Sequence, residues 1–372
     1  MEPKGTSFGG SLLVPSVQEL AKEPLLEIPS RYIRTDQDPI VKSSVTSLPT
    51  TELPIIDMQL LMSDDSAAHE LERLHIACKE WGFFKLINHG LSSALLEKVK
   101  KETQEFFNLP MDVKKKFWQH EGDMEGFGQG FVMSEEQKLD WADMFYIVTL
   151  PHDMRKPHLF PKLPLPFRDT LETYSSDVKK ISLSTLMFIA KASKMKAEDM
   201  KVLFEEGLQS MRMNYYPPCP QPEKVIGFGQ HSDSFGITFL LQINEVEGLE
   251  IKKDGNWTPV KPLPNSFIVN VGDTLEVISL SQPPVMFHYQ IWIVTNGLYK
   301  SIEHRAMVNS NKERLSIATF LAPNLDGKIG PAPSLITPET PSRFLSVSVM
   351  DYIKDLFSGR IHGKSNIEKY RI

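Results

Sequence analysis

Residues 210–242 decide how this chain is read: Ser210-Met-Arg-Met-Asn-Tyr-Tyr-Pro-Pro-Cys-Pro220, and further on His231-Ser-Asp-Ser-Phe-Gly-Ile-Thr-Phe-Leu-Leu-Gln242. His231 and Asp233 stand two residues apart. On a β-strand, side chains at i and i+2 leave the same face, so an imidazole and a carboxylate there can meet one ion. Two histidines and one carboxylate with open positions form the ligand set of non-haem Fe(II) oxygenases. The candidate third ligand is His304, in Ser-Ile-Glu-His304-Arg-Ala. Ten residues later, Arg314-Leu-Ser316 repeats the spacing with a guanidinium and a hydroxyl. A planar fork of donors suits a carboxylate held bidentately. Triad plus clamp predicts an iron enzyme that takes an organic acid as co-substrate.

Outward from this stretch, Arg212, Asn214 and Tyr216 alternate and should share one strand face, and Pro217-Pro218 ends that strand because neither can donate to a ladder. Leu240-Leu241, Leu249-Glu250-Ile251 and Phe267–Val271 read as further short strands, separated by turns such as Asp254-Gly255. Many short strands with turn signals predict a sandwich or a double-sheet jelly roll.

Upstream, Leu71, Leu74 and Cys78 recur at helical spacing in a helix over 67–81 that Gly82 ends, and Phe83–Ile87 follows as a strand. Residues 92–107 read as a helix, with another beginning at Asp112 as N-cap. A strand is expected within 139–150, then a proline-rich loop, then a helical stretch to about Glu206. His89, in Asn-His-Gly, reads as a hydrogen-bonded turn histidine. Gly126-Phe-Gly128-Gln-Gly130 lacks the Lys-Ser/Thr of a phosphate cradle, so it reads as a turn at a pocket rim.

Composition narrows the classes. The chain has 372 residues, 41% hydrophobic, enough for a large core, and a net charge of −6. Lys114-Lys115-Lys116 reads as a solvated helix face, not a nucleic-acid patch. Two cysteines, Cys78 and Cys219, fit a reducing compartment. No signal segment or membrane-length apolar run is evident, so a cytoplasmic monomer is expected, with no nucleic-acid or membrane partner.

The order His-x-Asp, His, Arg-x-Ser behind Asn214-Tyr215-Tyr216-Pro217-Pro218 resembles the plant 2-oxoglutarate/Fe(II)-dependent dioxygenases, in the branch of senescence-related proteins and codeine and thebaine O-demethylases. Residues 14–22, 78–84, 125–129 and 139–143 add to the resemblance, which therefore runs through nearly the whole chain. It implies a mixed α+β protein with a double-stranded β-helix (jelly-roll) core flanked by helices. The expected divisions are an N-terminal extension (1–50), an N-terminal dioxygenase region (51–165), a helical connector (166–206), the dioxygenase core (207–323) and a C-terminal helical region (324–372).

The same resemblance implies Fe(II) at His231, Asp233 and His304, with 2-oxoglutarate as co-substrate, O2, and ascorbate as reductant. The far carboxylate of 2-oxoglutarate would meet Arg314 and Ser316, with Tyr216 donating a hydroxyl and Asn214 close by. The activity implied is hydroxylation or O-demethylation, with release of succinate and CO2. Arg212, Phe127 and Phe320 are the candidate substrate residues, and an aromatic wall built by the two phenylalanines would suit a flat, largely apolar small molecule such as a phenolic, flavonoid or alkaloid.

Residues 279–294 depart from the family by pushing Gly272-Asp273 and Asn296-Gly297 apart. They read as a translated splice remnant in preference to an added active-site flap. They also contain His288, a rival third ligand, but the sequence around His304 favours His304. Two alternatives follow. In one, the insert displaces the His304 strand and leaves a catalytically impaired binding protein. In the other, a jelly-roll enzyme uses a different metal without 2-oxoglutarate, against which Arg314-x-Ser316 argues.

Overall fold

The computed structural model describes residues 11–23, 25, 27–35, 52–120, 122–276, 295, 298–330, 334, 336–338 and 347–357. In chain order, β1 (Ile55–Asp57), β2 (Phe83–Ile87), β3 (Gly126–Gly128), β4 (Asp143–Leu150), β5 (Gln209–Tyr216), β6 (Phe228–His231), β7 (Ile237–Gln242), β8 (Leu249–Lys253), β9 (Asn256–Pro259), β10 (Phe267–Val271), β11 (His304–Ala306) and β12 (Arg314–Leu321) build two sheets. The larger runs β1-β2-β10-β7-β12-β5-β4-β3, and the smaller runs β6-β11-β8-β9. Two stacked sheets with helices against one of them are the expected jelly-roll core.

Register gives the large sheet two faces of opposite character. Phe127, Phe145, Met213, Ile317 and Leu241 are successive partners across five strands. They belong to the main core, together with Leu171, Tyr174 and Val178 of the helix Phe167–Ala192. Burying such side chains contributes about 1.5–3 kcal/mol each. One residue over, the parity reverses. Met144, Asn214, Ser316 and Gln242 form the next row, on the face toward the small sheet. Apolar residues therefore hold the helices, and polar ones are left between the sheets.

Several local expectations are corrected. The helix beginning at Met111 is entered from Pro110, and Asp112 lies in its first turn with no cap hydrogen bond from its side chain. The helical stretch after 166 is two helices, Phe167–Ala192 and Ala197–Phe204, with Lys194 at a positive φ of 59° between them. Ala67–Ile76 continues through a π turn, Ala77–Trp81, before Gly82 stops it. Gly82 has φ 63°, and a Cβ there would lie 2.2 Å from the Lys300 carbonyl oxygen, so only glycine fits. Residues 92–107 follow expectation, with the Ser92 hydroxyl accepting from the Leu95 N–H. His89 is the turn histidine expected. It accepts from the Leu91 N–H at 3.2 Å, and its other ring nitrogen meets the Asn265 carbonyl at 3.2 Å.

Among the ties that hold the N-terminal segment to the core is one buried carboxylate. Asp143 accepts from the Ser16 hydroxyl at 2.5 Å and from the Val17 and Gln18 N–H groups at 2.9 Å each. The C-terminal helix is Val349–Phe357. The insert at 279–294, His288 and the Asn296-Gly297 pair lie outside the described residues. The residues flanking that stretch meet each other: the Thr295 hydroxyl donates to the Leu275 carbonyl at 2.6 Å.

Glu125 gives a test of burial. Its carboxylate accepts from the Val148 N–H at 2.7 Å, and Lys156 stands 3.9 Å away. Burial nevertheless raises its pKa to about 7. Because the folded state holds this proton more tightly than the unfolded state, stability falls as pH rises from about 4.5 to 7. Glu125→Gln keeps a carbonyl for Val148 and removes the charge. We expect it to stabilise the protein by about 1–3 kcal/mol at pH 8 and to change little at pH 4.5, read as Tm at the two pH values.

Candidate metal centre

His231 ends β6, and His304 begins β11, where the two are paired directly across the small sheet. Their ring centroids are 4.2 Å apart. Asp233 lies two residues beyond the end of β6, so the shared strand face expected for His231 and Asp233 is not what joins them. A loop brings the carboxylate back. The turn after β10 sets that loop: the Asp273 N–H donates to the Asp233 carbonyl at 2.6 Å, and the Ser232 hydroxyl donates to Asp273 at 3.0 Å. A Cβ at Gly272 would sit 2.0 Å from the Phe235 carbonyl oxygen, so this close approach needs glycine.

Asp233 Oδ1 is 3.5 Å from His231 Nε2 and 3.6 Å from His304 Nε2. One ligand atom from each of the three residues lies within 4.8 Å of the others, so the group could hold one metal ion. Both imidazoles are oriented from behind. Nδ1 of His231 meets the Gly229 carbonyl at 2.8 Å, and Nδ1 of His304 meets the Ile302 carbonyl at 3.2 Å. A proton on each Nδ1 leaves each Nε2 lone pair facing Asp233.

Electrostatics agree with that arrangement. Burial, together with neighbouring His231, pushes His304 down to about 4, so it is neutral at pH 7 and ready to ligate. Burial alone would raise the Asp233 carboxyl. The two imidazoles and the Thr238 hydroxyl outweigh it and hold the group well below the usual carboxylate range. A carboxylate oxygen between two imidazole nitrogens fits a divalent iron ion.

Arg314 and Ser316 face the same cavity as the triad, as do Tyr216 and Asn214. Arg314 pairs with Tyr216 and Ser316 with Asn214 across β12 and β5. The Arg314 guanidinium is buried, 5.2 Å from the centroid of the Tyr216 ring. Its hydrogen bonds are to neutral groups, the Tyr216 hydroxyl and, from Nη2 at a long 3.4 Å, Gln242 Oε1, and its Nε has no partner. Among the described residues no carboxylate lies within ion-pair distance of it. A buried cation without an anion is costly, so an acidic ligand is the natural complement.

The candidate substrate residues divide. Arg212 and Phe320 line an apolar chamber that shares His231 and Asp233 with the metal cavity, and Met124, Phe131, Met144 and Phe235 complete much of its wall. Arg212 forms no ion pair among the described residues. Its Nε donates to Asn214 at 2.8 Å, and its guanidinium lies 3.9 Å from the Phe228 ring centroid. Phe127 is a correction. It is fully buried on the helix side of the sheet, against Phe106 and Phe107, because its register partner is Phe145 and not Met144. The glycine-rich stretch around it still reaches the rim through Gln129 and Gly130, which border a polar outer cavity of about 200 Å³.

Sequence reasoning missed Thr238 and Asn270, both of which donate to Asp233. Asn270 carried a signal, being the lone amide in the apolar run Phe267–Val271. Thr238 carried none beyond alternation. Gln242 and Phe228 were missed for the same reason, since neither belongs to a motif.

Comparison with known proteins follows the geometry. Residues 53–163 match the family described as non-haem dioxygenase in morphine synthesis N-terminal, and residues 207–323 match the 2OG-Fe(II) oxygenase superfamily. Protein SRG1 of Arabidopsis thaliana is 52% identical over all of both chains. Oxoglutarate-dependent flavonoid 7-O-demethylase 1 of Ocimum basilicum is 52% identical, over 98% of this chain and 93% of that one. Codeine O-demethylase of Papaver somniferum is 51% identical over 98% of each. Among solved structures, JOX2 in complex with 2OG, Fe and JA superposes with a TM-score of 0.81 at 31% identity, covering 96% of this chain and 98% of that one.

Proposed function

The chain belongs to the 2OG-Fe(II) oxygenase superfamily and is a 2-oxoglutarate-dependent dioxygenase, and we propose that it removes methyl groups from, or hydroxylates, a small aromatic metabolite. In this reading His231, Asp233 and His304 hold the iron, and Arg314 with Ser316 holds the far carboxylate of 2-oxoglutarate. The observation that carries it is the buried Arg314 guanidinium, without a carboxylate partner among the described residues, lining the same cavity as the triad. Iron held there supplies activation of dioxygen and the oxidative decarboxylation of 2-oxoglutarate to succinate and CO2, coupled to oxidation of a substrate C–H bond.

The protein's own work is positioning. The carbonyls of Gly229 and Ile302 keep both imidazoles in the ligating tautomer. Arg314 supplies a charge-assisted contact worth about 1.5–3 kcal/mol to the co-substrate, with Ser316 beside it. Tyr216 and Asn214 stand on the same strand face and offer further donors to it. The chamber of Met124, Phe131, Met144, Phe235 and Phe320 excludes water around the reacting carbon and suits an apolar ring. Arg212, at the border of the apolar and polar cavities, is placed to meet a polar group on that ring. Two of the relatives are named as O-demethylases, which favours a methyl ether as the group oxidised. Hydroxylation of such a methyl gives a hemiacetal that collapses to formaldehyde and the free hydroxyl.

The alternative in which the insert displaces the His304 strand is not favoured, because His304 stands with His231 and Asp233. The assignment to a cytoplasmic monomer remains part of this proposal. The two buried, unpaired cysteines favour the location only; imaging of a fluorescent fusion tests that, and a sizing column tests the monomer. The decisive experiment incubates the intact protein with Fe(II), 2-oxoglutarate, ascorbate and a panel of methoxylated flavonoids and alkaloids. Succinate with an equal amount of formaldehyde supports demethylation. Succinate with a hydroxylated product and no formaldehyde supports hydroxylation. No succinate with any member of the panel counts against the proposal.

A further inference from the structure

Two donors converge on a single oxygen of the ligand carboxylate. Thr238 Oγ1 donates to Asp233 Oδ2 at 2.6 Å, and Asn270 Nδ2 donates to the same Oδ2 at 2.8 Å. The two donors are direct register partners, Thr238 on β7 and Asn270 on β10, so the sheet ladder itself sets the gap between them. Both are buried, and both project toward the metal cavity. The other oxygen, Oδ1, is the one that faces both imidazoles, at 3.5 and 3.6 Å.

A free carboxylate can chelate one cation through both oxygens. A carboxylate whose second oxygen already accepts two short hydrogen bonds is held to single-oxygen ligation, since chelation would break both bonds inside a buried site. Breaking them would leave a hydroxyl and an amide unsatisfied. From this geometry we infer that Thr238 and Asn270 act as a positioning clamp that keeps Asp233 monodentate, and so keep a coordination position open for the second donor atom of 2-oxoglutarate. The inference rests on the proposed ligand set of His231, Asp233 and His304. It extends that set by assigning two residues that act through Asp233.

The clamp has a signature that a purely structural role lacks. Loss of a supporting hydrogen bond in general weakens metal binding, commonly by about 10–100-fold. Loss of this clamp frees Oδ2 to chelate. Iron then stays bound as tightly as before, or more tightly, while 2-oxoglutarate loses a position.

The test uses the full-length protein under anaerobic conditions. Fe(II) is titrated first, and 2-oxoglutarate is then followed through the absorption band of its iron chelate. For the double variant Thr238→Val/Asn270→Leu we expect unchanged or tighter Fe(II) binding, with a 2-oxoglutarate dissociation constant raised about tenfold or more. Thr238→Ser, which keeps the donor, should stay within about twofold of the parent and serves as the control for folding. Parallel weakening of Fe(II) and 2-oxoglutarate in the double variant overturns the inference, and so does no change in either. A parent protein that binds no Fe(II) removes the ligand set beneath it, an outcome visible before any variant is made.

Discussion

His304→Ala will fold and lose 2-oxoglutarate turnover by about a thousandfold, the equivalent of roughly 4 kcal/mol in the barrier. Two ligands remain in that variant, and Asp233 loses one of the two imidazoles that hold it ionised. Folding should survive, because the strand ladder of β11 with β6 and β8 is made by backbone groups. The side-chain contacts given up are the Nδ1 contact with the Ile302 carbonyl, the packing on His231 and the edge-to-face packing on Phe83, 5.3 Å between centroids. Circular dichroism checks the fold, and succinate formation checks the turnover. A folded His304→Ala protein with parental activity would show that another residue completes the site.

The second large effect concerns Arg314, and here two properties should move in opposite directions. Arg314→Lys replaces a planar fork by a point charge and should raise the 2-oxoglutarate requirement by about 10–100-fold, with kcat at saturation much less affected. Arg314→Met goes further. The parent buries a cation with no carboxylate partner among the described residues, and the Arg314 pKa is lowered by that burial. Removing it should raise the Tm of the protein measured without co-substrate, while 2-oxoglutarate binding is lost. A thermal-shift series with and without 2-oxoglutarate reads both at once. A lower Tm with binding retained would mean that Arg314 is a structural residue and that the far carboxylate is held elsewhere.

Much of this site could be read from the chain because its chemistry sits in short, ordered spacings. His231-x-Asp233, His304 and Arg314-x-Ser316 were each recognisable as side-chain types in sequence, and the alternation through Arg212, Asn214 and Tyr216 became the pocket face of β5. Register explains both the success with Phe320 and the failure with Phe127. Phe320 is six residues from Arg314 on one regular strand, so counting by twos reaches the correct face. Phe127 lies on a different strand, and its face is fixed by pairing with Phe145, which no local pattern reveals. Thr238 was illegible, and the lone amide of Asn270 had no readable partner, for a related reason. Their importance comes from facing each other across two strands that begin 30 residues apart. The return of Asp233 toward the two histidines likewise depends on the Gly272-Asp273 turn, a long-range contact that spacing alone cannot supply.

The same turn bears on the insert. Leu275 and Thr295 are bonded to each other, so the chain on either side of residues 277–294 is joined at a neck, and the strand carrying His304 continues from the far side of it. That connection accounts for how His304 keeps its place opposite His231 despite the extra length.

The central claim is that His231, Asp233 and His304 hold one iron ion on which 2-oxoglutarate binding depends. The most direct test is anaerobic equilibrium binding of 2-oxoglutarate to the metal-free protein, before and after one equivalent of Fe(II), for the parent and for Asp233→Ala. We predict tight binding by the parent only after iron is added, at one iron per chain, and no gain on adding iron to Asp233→Ala. Equal gain in the Asp233→Ala protein, or equal binding by the parent with and without iron, would contradict it.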